Sequence, residues 1–125
     1  MSNPPETTRL YRPVGRAELE LIEQSGWTAF PPRLAHQPFF YPVANEAYAA
    51  QIARDWNTKD AASGYAGYVT RFRVRSDVLA RWPLQTAGAR IHQEYWVPAE
   101  EMDDFNAGIV GAIEVVAEFR AEGAA

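Results

Sequence analysis

The sequence predicts an α+β fold in which short strands and short helices surround one core. Residues 67–75 and 90–97 alternate side chains with the period of a half-buried strand. Residues 16–25 and 46–56 instead place apolar side chains at helical spacing. Such helices are too few and too short to cover both faces of a doubly wound sheet. We therefore expect about five or six strands and three or four helices in a single domain spanning residues 1–125.

The N-terminal part is predicted to pass from a loose terminus into a strand and a helix. Residues 1–8 are polar and carry two adjacent prolines, so we expect a loosely held end. A short strand follows at residues 10–14. The first helix ends at Gly26, because glycine is the residue type that most often follows a helix C-terminus. Residues 27–37 contain a Pro-Pro pair and are predicted as a loop.

An aromatic segment and a second helix come next. Residues 38–43 (PFFYPV) are predicted as a strand away from the sheet centre, since Pro42 has no N–H for a central ladder. Asn45 is a favourable N-cap for the helix at residues 46–56, because its side-chain oxygen accepts a bond from a free backbone N–H. Residues 57–66 are polar and contain glycine, which favours a loop.

The segment at residues 67–75 has two distinct faces. Tyr68, Thr70, Phe72 and Val74 share one face, which we expect to point into the core. The other face carries a stripe of arginines, Arg71, Arg73 and Arg75. We interpret this stripe as a solvated face; the alternative is a contact strip for nucleic acid or an acidic partner. Ser76 is predicted to cap a short helix over residues 77–82, and residues 83–88 are a connector.

The last part of the chain is predicted as a helix and a strand. Pro98 opens the helix, and the acidic residues of its first turns suit the positive end of the helix dipole. The helix ends at one of two glycines, Gly108 or Gly111. A strand follows at residues 113–120, and we expect the tail at residues 121–125 to fray.

Composition narrows the chemistry that this chain can carry out. Sixteen acids against twelve bases give a formal net charge of −4, which disfavours general polyanion binding. Eleven of the bases are arginine and the twelfth is Lys59. The absence of cysteine excludes disulfides, thiolate nucleophiles and cysteine-ligated metals, and two histidines are too few for a three-histidine metal site.

The sequence shows neither a membrane-spanning pattern nor a secretory signal pattern. No apolar run approaches the about 20 residues that a membrane-spanning helix needs. The N-terminus lacks the basic start and apolar stretch of a secretory signal. We therefore expect a cytoplasmic protein with no membrane partner, although delivery as a toxin is compatible with these observations.

Glu94 is the first candidate for a functional side chain. It lies mid-strand before Tyr95 and Trp96, and an unpaired carboxylate is costly to bury in such surroundings. It either faces water on an edge strand or lines a cleft, with His92 and Trp96 on the same face. His92 and Glu94 also offer an acid–base pair for a small ribonuclease-like toxin that uses the arginine stripe.

Further candidates lie in the N-terminal half. Arg12 is either an exposed arginine on an edge strand or a contact to a phosphate or ribose. Phe40 and Tyr41 must face opposite sides of their strand, so one of them can be a stacking platform for a flat ligand.

Three passages, in their order along the chain, resemble the ADP-ribosyltransferases. HQEYWVPAEEMDDFN, at residues 92–106, is similar to the catalytic strand of that family and the turn into its helix. PFFYPVANEAYAAQIA, at residues 38–53, is similar to the second strand and the small-residue helix after it. LYRPV, at residues 10–14, resembles the first strand. More narrowly, the chain resembles small bacterial proteins and toxin domains of this type, some labelled ADP-ribosylation/crystallin J1-like.

The resemblance implies a split β-sheet with short helices around an NAD cleft, with NAD as substrate and no metal. Glu94 would be the catalytic residue, which bonds the nicotinamide ribose and stabilises the cationic transition state. Arg12 would anchor NAD, and the backbone near Pro13 would face the carboxamide. The other cofactor-binding positions implied are Phe40, Tyr41, His92 and Trp96.

The activity implied by the resemblance is mono-ADP-ribosyl transfer from NAD, or NAD hydrolysis. The acceptor is open: a protein, a nucleic acid, a small molecule or water. His92 stands where arginine-modifying members carry Glu or Gln, and Arg12 stands where the polymerase branch carries His. These departures motivate an alternative, a non-catalytic module of the same fold with a binding, toxin-neutralising or regulatory role. A protein of the toxin type would have an antitoxin or immunity partner.

Overall fold

A computed structural model describes residues 6–86 and 92–121 of the chain, and their architecture is α+β, as the sequence predicts. The strands are β1 (Thr7–Val14), β2 (Phe39–Phe40), β3 (Ala66–Arg75), β4 (Leu84–Thr86), β5 (Gln93–Tyr95), β6 (Val97–Pro98) and β7 (Ile109–Arg120). The α-helices are α1 (Arg16–Gln24), α2 (Glu46–Asp55), α3 (Ser76–Leu79) and α4 (Met102–Ala107). Short 3-10 helices occupy Asn57–Lys59, Ala61–Ser63 and Ala99–Glu101.

The main sheet is antiparallel and has β3 between β1 and β7. Beyond β1 it continues through single bridged pairs, since Tyr11 pairs with Val43 and Val43 pairs with Glu94 of β5. β5 in turn pairs with β4. Arg71 of β3 is the partner of Tyr11, so one row of residues crosses the sheet from β3 to Glu94.

The core lies mainly on one face of this sheet. The four residues predicted to point inward from β3 are buried, which confirms that prediction: Tyr68, Thr70, Phe72 and Val74. Phe72 packs edge-on against Phe30 and Phe105, and the ring of Phe40 lies against the same group. Ring contacts with centroids 4.8–6.2 Å apart stabilise the fold beyond simple burial, so the aromatic residues set the shape of this core.

A second, smaller cluster lies on the opposite face, beneath α2. Ala49 and Ala53 of α2 are fully buried and pack with Val43 and Val69. The Asn45 side chain accepts a bond from the Tyr48 amide at 2.8 Å, which confirms the predicted N-cap. Small residues let α2 lie very close to β3: a Cβ on Gly67 would be 2.4 Å from the Ala53 carbonyl oxygen.

Several predicted boundaries were wrong, mainly because of pairing with distant strands. The strand predicted at residues 38–43 is reduced to β2 and the bridge at Val43, because the chain leaves β1 to pair with β6. Ser76 is not a cap. It begins α3, and its hydroxyl lies 2.7 Å from that of Thr8. The last strand begins at Ile109 rather than 113, because a bulge at Gly111 lets β7 continue along β3.

Other differences concern elements that short patterns do not reveal. The connector at residues 83–88 contains β4, and the predicted strand at 90–97 divides into β5 and β6, so seven strands are described. Residues 57–66 contain two 3-10 helices. The predictions for residues 1–5, 87–91 and 122–125 lie outside the described residues. Within residues 6–86 and 92–121, no helix is long and apolar enough to cross a membrane.

Candidate functional site

Glu94 lies on the face of the sheet that carries α2. It is bridged to Val43, which is bridged to Tyr11, so the three side chains leave the same face. Gln85 of β4 is its ladder partner on the other side. The Glu94 side chain is half-buried.

The Tyr48 side chain binds the Glu94 carboxylate: its hydroxyl donates to Glu94 Oε1 over 3.4 Å. Burial raises the pKa of Glu94, while the bond from Tyr48, the charge of His92 and the neighbouring Trp96 side chain lower it; burial is the larger effect. The Glu94 carboxyl group is therefore partly dehydrated and hydrogen-bonded, a combination that is also found for the catalytic acids of many enzymes.

His92 belongs to the same cluster. Its ring stacks on Tyr48 with centroids 4.5 Å apart and an interplanar angle of 26°. Its Nε2 lies 3.2 Å from Gln51 Oε1. One turn of α2 therefore holds both Glu94 and His92, through Tyr48 and Gln51. Tyr48 and Gln51 were not predicted as site residues; their only signal in the sequence is that they lie one helical turn apart.

An aromatic patch borders this cluster. Tyr41 and Trp96 are 36% and 42% exposed and meet edge-to-face, with centroids 6.2 Å apart. Phe39 contacts both rings at about the same distance. Phe40 faces the other way and is only 1% exposed. Of the two candidate platforms, Tyr41 is the accessible one and Phe40 is a core residue.

Arg12 is bound within the protein by several groups. Its Nε and Nη2 contact the two oxygens of Glu18 at 2.6 and 2.9 Å. Its guanidinium carbon lies 4.4 Å from the centre of the Phe40 ring, and Nη1 donates to the Tyr41 carbonyl at 3.4 Å. The side chain is buried, so this two-pronged pair is largely removed from water.

Arg12 and Glu94 therefore lie on opposite faces of the sheet. Arg12 follows Tyr11 in β1, and successive side chains of a strand alternate in direction. Their contacts agree: Arg12 packs on Phe40 of the main core, whereas Glu94 bonds to Tyr48 of α2. The structure brings Glu94, His92, Trp96 and Tyr41 together. It places Arg12, Pro13 and Phe40 in a second group.

Arg12 and Pro13 of this second group border a cleft of about 360 Å³. Glu18 of α1, the Pro31-Pro32 loop and Trp56 also line it. Trp56 is 60% exposed. Burial and the neighbouring charge of Arg12 lower the pKa of Arg33, a further residue of the cleft wall.

One polar atom of this cleft wall is orphaned. Asn57 is buried, and its Nδ2 donates to Ser63 Oγ at 3.0 Å. Among the described residues, its Oδ1 has no hydrogen-bond partner. An acceptor buried in this way costs free energy unless a further donor reaches it.

No family model, curated protein or solved structure matches this chain. Within residues 6–86 and 92–121, no three acidic or histidine side chains converge as a metal ion would require.

Proposed function

We propose that this protein cleaves the bond between nicotinamide and ribose in NAD, as a mono-ADP-ribosyltransferase or an NAD glycohydrolase, with Glu94 as the catalytic residue. The observation that supports this proposal best is the Glu94 carboxylate, held by Tyr48 beside the exposed Tyr41–Trp96 pair. It combines a fixed anion with a platform for a flat ring.

The chemistry of the reaction matches this combination. The bond from ribose C1′ to the nicotinamide nitrogen breaks, and nicotinamide leaves as a neutral molecule with the electron pair. The acceptor or water then bonds to C1′ and loses a proton. Positive charge develops on the ribose, and a carboxylate in a partly dehydrated position stabilises that charge more than it stabilises neutral ribose.

The strand arrangement supports a split sheet for this proposal. β1 and the segment before α2 pair at Tyr11 and Val43 and then part, because residues 39–40 pair with β6 instead. Arg12 lies in the opening, where Nη1 bonds to the Tyr41 carbonyl. We assign Arg12 a positioning role: it holds Phe40 and Tyr41, and through them the exposed platform.

The test is nicotinamide release from NAD by the purified protein, measured by chromatography. We expect release by the wild type and at least about a hundredfold loss in Glu94→Gln, since removing one preorganised charge typically costs that much. Glu114→Gln is the matched control, because Glu114 is an exposed strand residue on β7. Equal rates in Glu94→Gln and the wild type would overturn the assignment of Glu94. No release and no NAD-induced thermal shift in the wild type would overturn the proposal.

A binding module is the second candidate, and the Arg12–Glu18 pair favours it. Glu18 already neutralises Arg12 in this cleft, and its wall includes the exposed Trp56 and the Pro31-Pro32 loop, which suits holding a ligand or partner without catalysis. This candidate predicts that Trp56→Ala abolishes binding of that partner while nicotinamide release stays at the buffer rate in all variants.

A further inference from the structure

Three arginines form a group on the face that carries α2, beyond the part of the sheet that the helix covers. Arg9 is directly opposite Arg73 in the β1–β3 ladder, so both side chains leave the same face, and Arg71 is two residues from Arg73 on β3. All three line a recess of about 270 Å³. Arg9 and Arg73 are exposed, and Arg71 is half-buried.

The charge in this recess is poorly compensated. Glu114 is the acidic residue of its wall, and its Oε1 is 3.5 Å from Arg71 Nη2. Within residues 6–86 and 92–121, Arg9 and Arg73 make no ion pair. Arg75, the next arginine of the stripe, differs because Asp77 pairs with it at 2.8 Å. Three positive charges therefore face one negative charge, and two of the three are cross-strand neighbours.

The far wall of the recess is a β-bulge in β7. Arg71 pairs with Glu114 and Arg73 pairs with Val110, so three residues of β7 stand opposite Phe72 alone. Gly111, within the bulge, has φ +79°, a conformation that glycine adopts without strain. A Cβ at Gly111 would meet nothing within 4 Å, so the bulge leaves open space beside the arginines.

We infer that this recess binds a phosphate or pyrophosphate group of a small molecule. Guanidinium groups match phosphate oxygens with two parallel bonds, and an anion between Arg9 and Arg73 would relieve the repulsion of directly opposed like charges. A compact anion fits better than a long polyanion, because Glu114 and Asp77 border the arginines and the whole chain carries a net charge of −4. The recess is distinct from the surroundings of Glu94. It lies between β1 and β7, whereas Glu94 lies on the other side of β1 and bonds to Tyr48.

The experiment is titration of the full chain with inorganic phosphate, pyrophosphate and ADP by calorimetry, at constant ionic strength set with sodium chloride. We expect saturable binding of pyrophosphate that becomes about tenfold weaker in Arg9→Gln and in Arg73→Gln. Glu114→Gln should bind more tightly, because it removes the competing carboxylate. Arg75→Gln is the matched control: it lies on the same strand and face but already has Asp77 as partner, so its affinity should stay within about twofold.

The outcomes separate the sources of the phosphate. Equal affinity for pyrophosphate and ADP identifies the phosphate group itself as the ligand, and tighter ADP binding identifies a nucleotide. Identical affinities in Arg9→Gln, Arg73→Gln and Arg75→Gln would overturn the site. So would the absence of saturable binding of phosphate, pyrophosphate and ADP, whether or not a parallel titration shows binding of single-stranded DNA. Glu94→Gln should keep pyrophosphate binding, which distinguishes failure here from failure of NAD cleavage. All five variants replace charges of partly or fully exposed side chains, and thermal melting checks that they fold.

Discussion

Arg12 and Glu94 lie on opposite faces of one sheet: Arg12 follows Tyr11 in β1, and Tyr11 is linked to Glu94 through its bridge to Val43. Each has partners of its own: Glu18 and the Phe40 ring for Arg12, and Tyr48 for Glu94. The two residues that sequence resemblance joins in one NAD cleft thus have separate environments. Their contributions to stability and activity are expected to be separable by mutation.

The Arg12–Glu18 pair is expected to behave as a buried ion pair. Glu18→Gln leaves a guanidinium without its counter-charge beside Arg33, so we expect the free energy of unfolding to fall by about 3 kcal/mol. A double variant, Arg12→Met with Glu18→Met, should lose less, because no charge remains to be buried. Urea denaturation measures both. A double variant less stable than Glu18→Gln alone would show that the packing of Arg12 on Phe40, and not the charge pair, determines the contribution to stability.

Glu94 is expected to lower stability at neutral pH. Its pKa is raised in the folded protein, mainly by burial, so the folded state holds the proton to higher pH than the unfolded state does. Stability is therefore lost as pH rises from the unfolded pKa through the folded one. We expect Glu94→Gln to match the wild type at about pH 3, where both side chains are neutral, and to exceed it increasingly toward pH 7. Melting temperatures across this range test the sign. A difference in melting temperature between Glu94→Gln and the wild type that becomes smaller as pH rises would contradict it.

Tyr48 is expected to control the ionisation of Glu94. Its hydroxyl bond favours the carboxylate, so Tyr48→Phe should raise the pKa of Glu94 further while the ring still stacks on His92. Carbon-detected NMR titration of the Glu94 carboxyl measures this directly. Tyr11→Phe is the control, because Tyr11 packs in the cluster under α2. A fall in the Glu94 pKa in Tyr48→Phe would show that the hydroxyl bond does not favour the charged form. If Glu94 cleaves NAD as an anion, the acid limb of nicotinamide release moves to higher pH in the same variant.

The close approach of α2 to β3 is expected to make Gly67 intolerant of substitution. A Cβ there would be 2.4 Å from the Ala53 oxygen and 2.8 Å from the Ala53 Cα, and both are backbone atoms that cannot turn aside. We expect Gly67→Ala to lower the free energy of unfolding by about 3 kcal/mol, as overpacking does. Gly26→Ala is the comparison, since it has open space but φ +77°, and should cost about 1 kcal/mol. Equal losses would mean that α2 moves away from β3 at little cost.

Local pattern was enough to predict much of the fold. The alternation at residues 67–75 identified the four side chains of β3 that point into the main core, although Val69 on the other face is also buried. Asn45 and Gly26 marked the start of α2 and the end of α1. These features depend on neighbours a few residues away, which the sequence displays directly. The bulge at Gly111 and the short strand β4 depend on pairing with other strands, so the local sequence pattern did not predict them.

The candidate site divides in the same way. That Glu94 shares a strand face with His92 and Trp96, and that Phe40 and Tyr41 diverge, follows from the two-residue period of a strand and needs no structure. The bond from Tyr48 to Glu94, the pairing of Arg12 with Glu18 and the opposition of Arg9 to Arg73 required the tertiary structure. The register and crossing of whole elements decide these contacts, and they depend on the packing of the entire core around Phe72 and Phe105.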